Sequence, residues 1–355
     1  MITKARKSSE SLGRIAVEDG AVDADMRGQT TTCRKQRLGG GVQISLCATV
    51  VPRPVTNIYF PMRQMTCRSC RRQILAARPI LIAQISDLHI TRPGELAYGR
   101  VDTAKALLRT IDTLNGLSPR PDLIVISGDI ADSAQPEEYA HATKLLGALQ
   151  VPFVAIPGNH DRRALIRETF PDPAYGTSDC ALNTVRRIEG LDIFLIDSTV
   201  AGAPHGELDA PTLAWLGESL SASTTRPAFL FLHHPPFDTG IAYTDAVRLR
   251  NADALAAVLR RHQRVLLVAA GHVHRSAQTV FAGISASICP AGEQAVTLEF
   301  EPRWPEVFRI EPPAFHLHAW LPGPGFGSVV THLVPVGEFP GPYSYGYAET
   351  TPPPL

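Results

Sequence analysis

The stretch ILIAQISDLHI (residues 80–90) opens as an apolar run and breaks into Asp87-Leu88-His89. An apolar run without alternation predicts a strand covered on both faces, and such strands belong to α/β folds in which helices coat a mostly parallel sheet. The same rhythm recurs downstream in LIVIS (123–127), FVAIP (153–157), LDIFLIDS (191–198), AFLFLHH (228–234) and VLLVAAG (265–271). Between these runs the periodicity predicts helices at about 101–116, 136–149, 211–221 and 251–263. Asp102 or Thr103, Gln135-Pro136, and Asp209 or Ala210 before Pro211 supply start signals.

Five clusters stand at or just beyond the predicted strand ends: Asp87-Leu88-His89, Gly128-Asp129, Gly158-Asn159-His160-Asp161, His233-His234 and Gly271-His272-Val273-His274. In open α/β sheets ligands bind outside the carboxyl ends of the strands, so position and chemistry agree. Two carboxylates, an amide oxygen and several imidazoles, without a thiolate, form a mixed N/O donor set suited to Zn, Mn, Fe or Co. An alternating strand end would turn residues i and i+2 to one side, bringing Asp87 with His89, and His272 with His274, into one cleft. One carboxylate can bridge two ions about 3.5–4 Å apart. Any one of these motifs alone is weak, since GNHD by itself reads as a turn. Five ligand-rich clusters at successive strand ends have no economical structural explanation.

In that order, DLH, GD, GNHD, HHPP and GHVH resemble the signature of the calcineurin-like metallophosphoesterases, over about residues 80–300. ISDLHI, SGDIAD, PEEY, IPGNHD and HHPP are similar to the branch of class III cyclic-nucleotide phosphodiesterases and bacterial glycerophosphodiesterases. The resemblance implies a four-layer αββα sandwich with a dinuclear site at the C-terminal strand ends. It implies two divalent ions (Mn, Fe, Zn or Co). Asp87, His89 and His274 would hold the first, Asn159, His233 and His272 the second, and Asp129 would bridge them. The first histidine of HHPP is the family's ligand, which favours His233, with His234 the alternative. His160 would sit over the phosphoryl group with Asn159, stabilising charge and protonating the leaving oxygen, the alternative being an imidazole that only hydrogen-bonds a backbone carbonyl in the loop. Asp161 and Asp197 are candidates to brace the imidazoles. The implied reaction is in-line attack on phosphorus by a hydroxide shared between the ions.

The leading function is therefore hydrolysis of a small phosphodiester, a 3′,5′-cyclic nucleotide or a glycerophosphodiester. The alternatives are a phosphomonoesterase or nucleotide pyrophosphatase on the same scaffold, and a catalytically inactive metal-binding scaffold. Preference for a diester should show as an open cleft without an arginine pair. Ser198 ends its strand with no His or Lys beside it in sequence, so no activated serine is indicated. Tyr98, Gly99 and Arg100 could line the entrance or form a solvated loop, and Arg162 and Arg163 could meet a phosphate or face solvent. His316 and His318 repeat the HxH pattern without a neighbouring carboxylate motif.

The remaining composition sets bounds. Across 355 residues, 34 basic and 34 acidic side chains leave no global field to recruit nucleic acid or an anionic membrane. Residues 1–79 nonetheless carry 14 Lys/Arg against 5 Asp/Glu, and the rest 20 against 29. No window approaches the roughly 18–20 apolar residues of a membrane span, and the first residues lack the apolar core of a secretory signal. A cytoplasmic enzyme acting on a small molecule is expected, with no membrane partner and a possible homo-oligomer. Six scattered cysteines imply reduced thiols, and Cys67 with Cys70 lacks the second pair a structural zinc normally needs. Residues 1–78 read as a loosely packed basic extension, 79–302 as the catalytic domain, and 303–355 as strands followed by a Pro/Gly-rich tail.

Overall fold

The computed structural model describes residues 78–175, 180–301 and 307–343, and the backbone of three short strands nearer the N-terminus. The chain divides into two compact units, Met1–Cys67 and Arg68–Leu355. In the first, β1 (Asp23–Ala24), β2 (Thr30–Leu38) and β3 (Val42–Thr49) form an antiparallel sheet in that order. No regular structure was expected there, yet VQISLCA alternates apolar and polar residues as a strand does. The rest of the expected extension up to residue 77, with Cys67 and Cys70, lies outside the described residues.

The second unit is built on two sheets. Five strands order as β16 (Ser328–Pro335), β15 (Ala314–Leu321), β4 (Ile80–Ile85), β5 (Leu123–Ser127) and β6 (Phe153–Ile156). Six order as β11 (Ala277–Phe281), β12 (Ile284–Ile288), β10 (Val265–Ala270), β9 (Ala228–Leu232), β8 (Leu191–Ile196) and β7 (Thr184–Ile188). β4, β5 and β6 pair in parallel, as do β8, β9 and β10. A short antiparallel pair, β13 (Gln294–Val296) and β14 (Phe308–Ile310), stands beside them in sequence.

The unalternating strands are explained by what covers each face. Ile80, Ile82, Leu123, Val125, Phe229, Phe231, Leu267 and Ala269 share one buried cluster between the sheets. Their neighbours turn outward under helices. Ala83, Ile85, Ile124 and Ile126 pack with Leu107, Ile111 and Leu114 of α1 (Thr103–Gly116), Tyr139 and Leu146 of α2 (Pro136–Leu146), and Ile166 of α3 (Arg163–Thr169). Leu230, Leu232 and Val268 pack with Leu216 and Leu220 of α4 (Ala210–Ser221) and with Leu255 and Leu259 of α6 (Ala252–Leu259). A short α5 (Ala242–Ala246) lies between the last two in sequence. The order helix, sheet, sheet, helix is the four-layer αββα sandwich.

The C-terminal segments depart from expectation. After His274, AQTVFAG, ISASICP, AVTLEFEP and FRIEPPAFHLHAW read as strands that a second, more antiparallel sheet would accommodate. Instead β12 joins β10 in parallel, and β15 joins β4 antiparallel from Trp320 opposite Ile80 to His316 opposite Gln84. Each thereby covers an otherwise open sheet edge. Of AVTLEFEP only the first part pairs, and Leu298 and Phe300 are exposed. Strands β7 and β16 were not anticipated. No helix of the described residues is long and apolar enough to cross a membrane.

Candidate metal centre

Strand β4 ends at Ile85, β5 at Ser127, β6 at Ile156, β9 at Leu232 and β10 at Ala270. Each candidate ligand follows one of these ends by one to four residues. The pairs Asp87 with His89, and His272 with His274, converge by a different device from strand alternation. Their φ angles are 55° and 43°, 71° and 56°, and Asp129 has 51°, so each backbone turns through the left-handed region. Non-glycine residues there carry strain and persist only where the surroundings fix them, which is characteristic of functional sites. The loops are tied together as Asp87 N and His89 N donate to the carbonyls of Gly128 and Asp129, at 3.0 and 2.9 Å.

Two glycines let these loops close in. Gly128 has φ +102°, and a Cβ there would lie 2.3 Å from Nδ1 of His233; a Cβ on Gly158 would lie 2.1 Å from Oδ1 of Asp129. Larger residues at either position would displace the donor set.

The hydrogen bonds fix which imidazole nitrogens face inward. Nδ1 of His233 lies 2.8 Å from the carbonyl of Ser127, and Nδ1 of His274 lies 3.0 Å from that of Gln294. A carbonyl only accepts, so both Nδ1 atoms carry protons and both Nε2 atoms point into the site. Nδ1 of His89 meets Oδ1 of Asp132 at 3.2 Å, orienting that ring in the same way. The inward atoms are then crowded. Nε2 of His89 lies 3.1 Å from Nε2 of His274 and 3.6 Å from Oδ2 of Asp129, and Nε2 of His274 lies 3.4 Å from Oδ1 of Asp87. Nε2 of His233 lies 3.1 Å from Oδ1 of Asn159 and 3.4 Å from Oδ2 of Asp129. Imidazole lone pairs and carboxylate oxygens converge, the carboxylates of Asp87 and Asp129 met by the backbone N–H groups of His272 and His160, and Nε2 of His272 is buried with no hydrogen-bond partner. Such a gathering of acceptors requires positive charge at its centre, so the residues fit divalent ions.

Electrostatics repeat the point. Burial alone would raise the Asp129 and Asp87 carboxyls, but the facing imidazoles of His233 and His274 respectively overcome it and hold both low. Burial alone would lower His233, yet Asp129 lifts it to about 9. His272, buried and facing His233, is pushed down to about 3. Protons and cations compete for these nitrogens.

The predicted ligands all reach one place. Asp87, His89, Asp129 and His274 form one group with donor atoms close enough to share an ion, and His233, His234 and His272 form another. Asn159 and Asp129 reach the second group through His233. Nδ1 of His234 bonds Oγ of Ser198 at 2.8 Å, while its Nε2 is buried with no hydrogen-bond partner. That serine is fully buried, so the pair does not reach the cleft. His160 lines the cleft, its backbone N–H donating to Oδ1 of Asp129 at 2.8 Å. Its Nδ1 donates to the carbonyl of Asp132 at 2.7 Å, which leaves Nε2 as the nitrogen that can exchange a proton.

The bracing residues differ from those expected. Asp161 holds the backbone N–H groups of Ile130, Ala131 and Gly158 and the Tyr139 hydroxyl, and fixes the loops rather than an imidazole. Burial and Asp129 push its carboxyl up to about 6. Asp197 pairs with Arg163 at 2.6 Å, so Arg163 serves the scaffold. Asp132, which orients His89, was missed although it ends the SGDIAD motif. His316 and His318 lie in β15, bonded to Ser276 and to Gln84 and Thr331 respectively.

Residues 80–276 match the family model described as calcineurin-like phosphoesterase. A probable glycerophosphodiester phosphodiesterase of Arcobacter nitrofigilis is 34% identical over 267 residues, 75% of this chain and 97% of that one. A cAMP/cGMP dual specificity phosphodiesterase of Mycobacterium tuberculosis is 37% identical over 219 residues, 59% of this chain and 67% of the relative. A dimetal phosphatase from Danio rerio superposes with a TM-score of 0.50 at 17% identity, covering 73% of this chain and all of that one, a likeness of fold. The chain belongs to the calcineurin-like phosphoesterase family of metal-using hydrolases.

Proposed function

We propose that this protein hydrolyses a small phosphodiester, a 3′,5′-cyclic nucleotide or a glycerophosphodiester, with two divalent ions drawn from Mn, Fe, Zn or Co. The observation that carries the reading is the cleft over the donor cluster. It has a volume of about 660 Å³, and its described lining contains no Lys or Arg. A monoester dianion or a pyrophosphate brings more negative charge than a diester and is usually met by cationic side chains. A diester is a monoanion with a second organic arm, which the Val247, Val296, Val307 and Phe308 side of the cleft can accommodate. The diesterases named above agree with this choice.

In this reading Asp87, His89 and His274 would hold one ion and Asn159, His233 and His272 the other, with Asp129 available to both. When bound, the ions supply the positive charge that lets water ionise near neutral pH and that offsets charge on the phosphoryl oxygens. Asn159 and His160 position the phosphoryl group. The Nδ1–H bond to Asp132 fixes the ring of His160, so Nε2 carries a proton to the departing oxygen.

The test compares bis(p-nitrophenyl) phosphate with p-nitrophenyl phosphate, using chelator-stripped protein to which Mn²⁺ is restored. We expect metal-dependent turnover with the diester preferred, and a kcat lower by roughly 10²–10⁴ in His160→Ala. A strong preference for the monoester would overturn the diesterase assignment and leave the family intact.

A further inference from the structure

Beside the donor cluster the cleft carries a pair of aromatic rings whose faces neither metal binding nor proton transfer uses, although the Tyr98 hydroxyl reaches to 3.4 Å from Nδ1 of His89. Tyr98 and Phe308 face each other with ring centroids 5.0 Å apart and planes at 44°, and the Tyr98 ring lies 5.9 Å from that of His89. Tyr98 is 46% exposed. Large aromatic surface is not left in water at a cleft mouth without cost, and its neighbours Val296 and Val307 are apolar too.

The way Tyr98 is presented supports a role for the ring. Ala97 and Val101 exchange backbone hydrogen bonds at 2.9 and 3.0 Å, closing residues 98–100 into a tight loop. At its first position Tyr98 has φ 53°, followed by Gly99 at 66°. Asn, Asp or Gly ordinarily fill such a position, so tyrosine is an unfavourable local choice. The result is a rigid ring held beside the phosphoryl site.

We propose that Tyr98 and Phe308 form a stacking wall for a planar group carried by the diester, which makes a nucleobase-bearing phosphodiester the substrate class. This rests on the diesterase reading above. Base stacking on aromatic side chains tolerates any base and needs one open π-face, which a two-ring corner offers. A quaternary ammonium head group is instead enclosed by an aromatic cage. The wall itself is two rings, with Tyr243 as a further aromatic of the cleft lining, and Asp129 is the sole carboxylate in the described lining.

The test is kcat/KM of the metal-loaded full chain for 3′,5′-cyclic AMP and for glycerophosphocholine, in the parent and in Tyr98→Leu, Phe308→Leu and Tyr98→Phe. The ratio of the first substrate to the second should fall roughly tenfold in both leucine variants, carried by KM, and hold in Tyr98→Phe, which keeps the ring. An unchanged ratio in the leucine variants, or a loss falling on glycerophosphocholine, would overturn the stacking wall while leaving the diesterase reading in place. An equal fall in Tyr98→Phe would assign the effect to the hydroxyl and overturn it also. Turnover of neither diester by the parent would sink both readings together.

Discussion

Asp132 touches His89 at a single point, Oδ1 to Nδ1 at 3.2 Å, and with the Tyr98 hydroxyl at 3.4 Å it holds that nitrogen away from the ions. Removing Asp132 leaves His89 freer to flip or to protonate the wrong atom. Asp132→Ala should therefore weaken metal affinity by about 10–100-fold, read by titrating Mn²⁺ into the chelator-stripped protein. Unaltered affinity would remove Asp132 from that role. The donor residues were legible in sequence because each follows an apolar run that can only be a buried strand. Asp132 was harder to read, since its work depends on which loop folds against which, whereas Tyr98 lines the cleft as its place after the DLH loop suggested. Asp161 and Asp197 show the converse. Their position beside the motifs is legible, but their partners are backbone N–H groups and Arg163 respectively, and no spacing rule reveals those.

At the scale of elements, helix starts were readable where a side chain supplies the missing acceptor. The Asp102 carboxylate accepts from Lys105 N at 2.9 Å at the head of α1, and Asp209 accepts from Thr212 N at 2.8 Å at the head of α4. Asp102→Ala should lower unfolding free energy by about 1 kcal/mol without changing the denaturant slope, as measured by urea titration. Edge strands were not readable. β7 is TVRRI, whose two arginines interrupt any apolar run, and it exists by pairing with β8 and by the Arg186 contact with Asp172. β16 alternates weakly and is mostly exposed, held by its antiparallel register with β15. Such strands are specified by a neighbour's open edge, a property of the fold rather than of the segment.

For the whole molecule, an α/β fold was legible because several apolar runs lack alternation and so demand cover on both faces, while the four-layer sandwich was implied by the family resemblance of the ordered motifs. The distribution of the last strands between the two sheets was not, since it depends on which edges the earlier strands leave open. The layer between the sheets carries much of the stability. Phe231 is fully buried there, and Phe231→Ala should cost about 3–5 kcal/mol, seen as a lowered melting temperature and denaturant midpoint. A cost near that of a surface substitution would mean that the two sheets are not held by this layer.

The donor set draws Asp87, His89, Asp129 and Asn159 from the loops after one sheet and His233, His272 and His274 from the loops after the other. Neither half can hold an ion as the complete set does, and the two halves are far apart along the chain. In time, then, the centre is a late arrival: a refolding chain can regain its strands and helices before it regains the pocket. Recovery of tight Mn²⁺ binding should lag behind recovery of far-ultraviolet circular dichroism in the same refolding experiment, because contacts between distant segments form slowly. Ions added early would meet only half-sites.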